Sequence, residues 1–196
     1  MDMKTVLIVG SAPCVRADLE AARLLRPDAD VIAVKFSVAI VHARIAVTHH
    51  AEHAQRMKAI HRGRWGDEVE IHMPKKKIME KFKQHVDRAW PELIGTGGTS
   101  AWGAAKIAKL LGYEEVILCG CPLEVAKHGD CYHDPEIFDA AVASGASRNR
   151  GEPFANSNAI RGYQRFIESD IVLGAASGIR SMSGWTRKKL GAPDGN

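Results

Sequence analysis

Thr5–Gly10 (TVLIVG) is a continuous apolar run that ends in glycine. A strand with one wet face alternates apolar and polar residues. An unbroken apolar run closed by a turn signal marks a parallel strand covered on both faces. A chain that opens this way needs helices to do the covering, and the rest of the sequence supplies them. Gly10-Ser11-Ala12-Pro13-Cys14 reads as a tight turn, and Val15–Leu25 has apolar residues at helical spacing with Pro27 beyond its end. Val31–Lys35 and Arg44–Thr48 read as strands, the second ending at His49-His50. Glu52–Arg62 reads as a helix, Val69–Met73 as an alternating strand, and Pro74–Val86 as a basic helix. Arg88–Gly98 reads as loop. Thr99 or Ser100 then caps a helix that runs to about Leu111, where Gly112 stops it. Glu115–Cys119 is the next strand. Asn158–Glu168 reads as a helix, Asp170–Leu173 as a strand and Ser183–Leu190 as a last helix.

Strands alternating with helices predict an α/β fold: an open, mostly parallel sheet with helices on both faces and right-handed crossovers. The 196 residues suit a single domain, 1–196. Within it, Gly120–Asn156 is a polar stretch rich in His, Asp, Gly and Ser, in which only Pro135–Ala143 reads as helical. That stretch, 120–156, is expected to be a loop or lid insertion. A hydrophobic share of 45% excludes a disordered chain. No apolar run approaches the ~20 residues that span a bilayer. Val6–Val9 also falls short of the ~7–15 residues of a signal-peptide core, so no membrane is expected and a cytoplasmic location is.

In an open α/β sheet, ligands sit at the carboxyl ends of the strands, near the point where strand order reverses. The turn after the first strand, Gly10-Ser11-Ala12-Pro13, is the first candidate. Its backbone N–H groups would approach a phosphate at a helix N-terminus, although a plain tight turn explains the residues equally well. The dinucleotide fingerprint G-x-G-x-x-G and the P-loop are both absent. The second candidate is Gly95-Thr96-Gly97-Gly98-Thr99-Ser100, where glycines lead into a helix start that carries two hydroxyls. Helix dipole, unpaired N–H groups and hydroxyls together suit an anion; the alternative is an ordinary Ser/Thr cap.

These segments carry a resemblance. Thr5–Pro13 (TVLIVGSAP) resembles the opening strand and turn of two related Rossmann-like families. They are the bacterial lipo-oligosaccharide sialyltransferases and the 6-hydroxymethylpterin diphosphokinase (MptE-like) family. Gly97–Leu123 (GGTSAWGAAKIAKLLGYEEVILCGCPL) is the stronger match to both. The tail Gly178–Leu190 (GIRSMSGWTRKKL) resembles small proteins of phages and prophages. The resemblance implies a nucleotide lying across Gly10, Ser11, Ala12 and Pro13 and across the turn of Gly97, Gly98, Thr99 and Ser100. It also implies that Lys35 and His49, which end the second and third strands, face the ligand. Lys35 stands where the sialyltransferases have an Asn. Both families commonly carry an Asp in a G-x-D context where this chain has Gly120-Cys121-Pro122. The sialyltransferases use a downstream His as base, and Phe154–Asn158 contains none.

The expectation is therefore a nucleotide-binding transferase. Either MptE-like diphosphokinase chemistry or sialyltransferase-like glycosyl transfer would use a nucleotide or nucleotide-sugar donor. The alternative is a non-catalytic, phage-type accessory protein that keeps the nucleotide-binding fold. His49, His128 and His133 are the candidate catalytic groups, since a histidine near neutrality can act as general base or phosphate donor. Asp130 and Asp134 could hold Mg²⁺ with a nucleotide, or be solvated loop acids. Cys119-x-Cys121 followed by His128, Cys131 and His133 is not a standard zinc spacing, and His49 and His53 fall four apart; no metal site is expected. Trp102 and Trp185 suit the core better than a stacking platform, and Asn156-Ser157-Asn158 suits a helix cap. The net charge of +4 permits an anionic ligand without calling for nucleic acid. Lys75-Lys76-Lys77 and Arg187-Lys188-Lys189 read as solvated faces. An open sheet edge leaves room for a homo-oligomer.

Overall fold

The apolar run forms β1 (Thr5–Val9), and every residue of it is buried. A computed structural model describes residues 3–74, 80–93, 99–124, 133–145 and 157–194. The other strands are β2 (Asp30–Val34), β3 (Ile45–Val47), β4 (Glu70–Met73), β5 (Arg88–Ala89), β6 (Glu115–Cys119) and β7 (Ile179–Ser181). They make one sheet in the order β5-β4-β3-β2-β1-β6-β7. All six neighbouring pairs are parallel. The chain walks outward from β1 to β5, then returns to lay β6 and β7 against the other side of β1. This is an open, doubly wound α/β sheet of Rossmann-like form, and its order reverses at β1.

Successive strand side chains point to opposite faces, so each strand feeds two cores. Val6, Ile8, Ile32, Val34, Val116 and Leu118 pack with residues of α4 (Ser100–Leu110) and α6 (Ser157–Val172). Leu7, Val9, Ala33, Ile71 and Ile117 pack with α1 (Val15–Leu25), α2 (Ala54–Trp65) and α5 (Pro135–Ala143). A four-residue α3 (Glu80–Lys83) and a final α7 (Gly184–Leu190) complete the helices. Among the described residues no helix is long and apolar enough to cross a membrane.

Buried charge ties the start of the sheet together. Arg26 donates to both carboxylate oxygens of Glu115, at 2.7 and 3.2 Å, and the Thr5 hydroxyl donates to the same group at 3.0 Å. The two charged side chains are only 12% and 9% exposed. Removing one member of a buried pair strands the other, which costs about 3–5 kcal/mol. Here Arg26 would keep the carbonyl oxygens of Leu25 and Asp194. Glu115→Ala is therefore expected to cost less, about 2 kcal/mol, read as a lowered urea midpoint at unchanged slope. An unchanged midpoint would show that the pair contributes nothing net.

The structure corrects several expectations. Asp170–Leu173 is not a strand: α6 runs through Val172. The Asp170 carboxylate receives the Trp102 indole N–H at 2.6 Å and the Lys106 ammonium at 2.7 Å, which holds this stretch in the helix. Val172 and Leu173, which gave the strand-like pattern, point to solvent. The edge strand is β7, entered through Gly178 at φ +75°. There a Cβ would meet the Glu114 carbonyl oxygen at 2.4 Å. The expected loop of 88–98 contains β5 and a 3₁₀ turn at Pro91–Leu93. Of the expected helix Pro74–Val86, the described part is helical only over α3. Trp102 is core, and Trp185 is half-buried against the same cluster.

Candidate functional site

β1 and β6 lie side by side, and their outgoing turns are stitched together. The Gly10 N–H donates to the Cys119 carbonyl at 2.8 Å and the Ala12 N–H to the Gly120 carbonyl at 3.1 Å. The two backbones touch: a Cβ on Gly10 would sit 2.4 Å from the Gly120 oxygen and 2.5 Å from the Cys121 sulfur. Gly120 itself has φ +64° and donates its N–H to the buried Asp18 carboxylate at 2.8 Å. Asp18 also accepts from the Ser183 hydroxyl at 2.6 Å, which pins the segment before α7 to the same corner.

β2 ends in a built feature. The fully buried Ser37 hydroxyl donates to the Val9 carbonyl at 2.7 Å and accepts the Val34 N–H at 2.8 Å. This turns the chain sharply into a 3₁₀ segment, Lys35–Ala39, and forces Lys35 to φ +53°. β3 delivers His49, whose Nδ1 lies 3.1 Å from the Ser100 hydroxyl at the start of α4. Thr99 caps that helix by accepting the Trp102 N–H at 3.2 Å. From the other side, His133 places Nδ1 2.8 Å from the Ser11 hydroxyl, and the Asp134 N–H donates to the Ser11 carbonyl at 2.8 Å.

These groups converge on a cavity of about 430 Å³. Gly10, Ser11, Ala12, Lys35, His49, Thr99, Ser100 and His133, all expected from the sequence, line it. Pro13 does not. Gly97, Gly98 and His128 lie outside the described residues, as do Asp130, Cys131, Asn156 and Lys75-Lys76-Lys77. Sequence reasoning missed His50, Leu123 and Tyr163, which also line the cavity. Leu123 carried no signal in the sequence, yet it sits at φ +49°. Among the described residues, the two non-glycine residues in left-handed backbone are Lys35 and Leu123, and both face this cavity. Strained backbone of this kind costs about 1–3 kcal/mol and gathers at functional sites.

Two expected roles change. The N–H groups of Gly10 and Ala12 are consumed by carbonyls across the seam, so these residues shape the wall and do not donate to a ligand. Among the described residues, the donors that line the cavity include the Ser11 and Ser100 hydroxyls, the Lys35 ammonium and the N-terminus of α4. Asp134 is not placed to hold Mg²⁺. It accepts the Glu136 and Ile137 N–H groups as cap of α5 and receives the Arg16 guanidinium at 2.8 Å, which holds its carboxyl below the usual range despite its burial. Among the described residues no carboxylate lines the cavity. Burial also pushes the Cys119 and Cys121 thiols well up, which disfavours the thiolate form that a nucleophile needs.

Burial lowers the Lys35 ammonium from its ordinary value. Burial, with Lys35 nearby, lowers His133 to about 4. His133 is thus neutral at pH 7 and a poor proton acceptor, suited to orienting the Ser11 hydroxyl. In the unfolded chain His133 would titrate near its ordinary 6.5. Between these values the unfolded state binds more protons, so stability falls as pH drops from about 6.5 to 4. The loss from this residue is on the order of 2–3 kcal/mol. His133→Asn is expected to flatten that part of a stability-against-pH curve; equal slopes in the two proteins would refute the assignment.

Compared with protein-family models, curated proteins and solved structures, the chain matches none.

Proposed function

We propose that the cavity binds the phosphates of a nucleotide or nucleotide-linked donor. The protein is then a nucleotide-binding transferase of the kind found in the MptE-like and sialyltransferase families it resembles. One observation carries this reading. Lys35 is held in left-handed backbone at the cavity wall, which the N-terminus of the 11-residue helix α4 shares. A desolvated ammonium and a helix N-terminus sharing one cavity are complementary to a phosphate chain. The cavity size suits a nucleotide, since small-molecule sites run about 300–1,000 Å³. The Ser11 and Ser100 hydroxyls donate to phosphate oxygens, each oriented by its histidine. On this reading His49, beside Ser100, takes the proton of an attacking hydroxyl, and His133 keeps the Ser11 rotor fixed. Charge developing on the transferred group is met by Lys35 and by the α4 dipole. Mg²⁺ would arrive on the phosphates themselves. The free thiols of Cys14, Cys119 and Cys121 suit a reducing compartment such as the cytoplasm.

Thermal shift and calorimetry with CMP, a CMP-sugar, ATP and GTP test the reading. Ligand at 100 times its Kd stabilises by about 2.7 kcal/mol. At least one of the four is expected to raise Tm by several degrees, and no response to any of them would sink the proposal. The absence of a lining carboxylate among the described residues favours a second reading, a phage-type accessory protein that binds without turnover. Binding that persists through a phosphate-release or sugar-transfer assay with no product would select it.

A further inference from the structure

A smaller chamber of about 150 Å³ adjoins the main cavity and shares Ser11, Lys35, His50 and His133 with it. Its wall also includes His53, over an apolar floor of Phe36 and Ile137. We propose that His50, Glu52 and His53 bind a divalent transition-metal ion of zinc type at the wall of this chamber.

Local backbone brings the three together. His50 caps a 3₁₀ turn, Ala51–His53, and His53 is its last residue. With three residues per turn, side chains at i and i+3 eclipse. The two imidazole rings accordingly lie with centroids 5.5 Å apart. Glu52 reaches back so that its Oε1 lies 3.0 Å from His50 Nδ1, and one ligand atom from each residue falls within 4.8 Å of the others. Ligands bonded at 2.0–2.1 Å in a tetrahedral site stand about 3.3 Å from one another, so small rotations complete the set. Two imidazoles and a carboxylate leave coordination positions open, the arrangement of a reactive or ligand-binding ion and not of a closed structural one.

A second cluster shows the contrast. His42, His61 and Asp67 are as close together, but His61 is fully buried and spoken for. Its Nε2 accepts the Ala43 N–H at 3.2 Å and its Nδ1 lies 3.2 Å from the Asp67 carbonyl. That ring is structural. The half-buried His53 ring instead touches Phe36 and His50, and among the described residues it makes no hydrogen bond. His50 and His53 both face the chamber, so an anionic oxygen from a ligand in the cavity can fill an open position. This last contact rests on the nucleotide reading; the metal site does not.

Titrating the full chain with Co²⁺, followed by visible absorption and calorimetry, is expected to show one tightly bound equivalent, displaced by Zn²⁺. His50→Ala, Glu52→Gln and His53→Ala should each weaken binding at least tenfold. His42→Ala should leave it unchanged. His50 and Glu52 are exposed, so melting curves of those two variants are expected to match the parent. Absence of Co²⁺ binding, full binding in both histidine variants, or a sulfur-to-cobalt charge-transfer band would overturn the site. Nucleotide titrations with and without Zn²⁺ are expected to differ at least fivefold in the parent and not in His53→Ala; equal affinities would refute the contact to ligand. Nucleotide binding without Co²⁺ binding defeats the metal site alone, and Co²⁺ binding without nucleotide binding defeats the nucleotide reading alone.

Discussion

Gly10→Ala is expected to lower Tm by roughly 6–12 °C and to abolish ligand binding, a large effect for a single methyl group. Gly10 is not required for its backbone angle but for space. The added carbon would sit 2.4 Å from the Gly120 carbonyl oxygen and 2.5 Å from the Cys121 sulfur. One obstacle is backbone and the other a buried side chain, so neither can swing away. Relief means parting β1 from β6 at their carboxyl ends, which breaks the Gly10-to-Cys119 and Ala12-to-Gly120 hydrogen bonds. Overpacking of this kind costs about 3 kcal/mol or more, and a chain of this size loses roughly 2–4 °C per kcal/mol. Thermal melts and urea titrations check it. A parental melting temperature would mean the seam is looser than the contacts state. Gly120→Ala should be worse, since it adds a strained φ of +64° to a 2.5 Å contact with Val15.

The second large effect separates function from stability at Lys35. Lys35→Met keeps the length and the strained backbone but removes the charge. Charge-assisted hydrogen bonds contribute about 1.5–3 kcal/mol, so nucleotide affinity is expected to fall roughly 10- to 100-fold. Lys35→Gly removes the strain as well, because glycine enters left-handed backbone at no steric cost. It is expected to lose affinity equally while gaining about 1 kcal/mol of stability. A more stable protein that no longer binds is the signature of strain kept for function. Should Lys35→Gly bind as well as the parent, the lysine is not a ligand contact. Should it be less stable, the turn is held by something other than the Ser37 bridge.

The sequence displays most of this architecture, and the exceptions have physical reasons. β1, β6, α4 and α5 are legible because continuous apolar runs, a Thr cap before Ser100 and an Asp-Pro start at α5 are local signals. β7 was not legible. It has three residues, one of them Arg180, and it is a strand because Gly178 aims it alongside β6. The Ile171-Val172-Leu173 run looked more like a strand, but the bonds from Trp102 and Lys106 to Asp170 keep that stretch helical, and both partners are 60 or more residues away in sequence. The site was legible where chemistry follows strand ends: Ser11 after β1, Lys35 after β2, His49 after β3, Ser100 at the helix start. Leu123 and Tyr163 were not, because an apolar residue and a helix face give no hint of a cavity until the chain is folded. The commitment of Asp134 to Arg16 and the α5 cap also lay beyond reach, as it depends on a partner 118 residues distant.

Because strand order reverses at β1, a break between Leu93 and Thr99 would leave β1 to β5 on one piece and β6 and β7, with α4, on the other. Gly10, Lys35 and His49 would travel with the first piece, Ser100, Gly120 and His133 with the second. Neither piece would own the cavity. A small molecule seated there would act as mortar between them, and its concentration would set how much of the whole assembles. If the cavity binds a nucleotide as proposed, the split protein would be a two-part reporter whose reassembly the ligand favours.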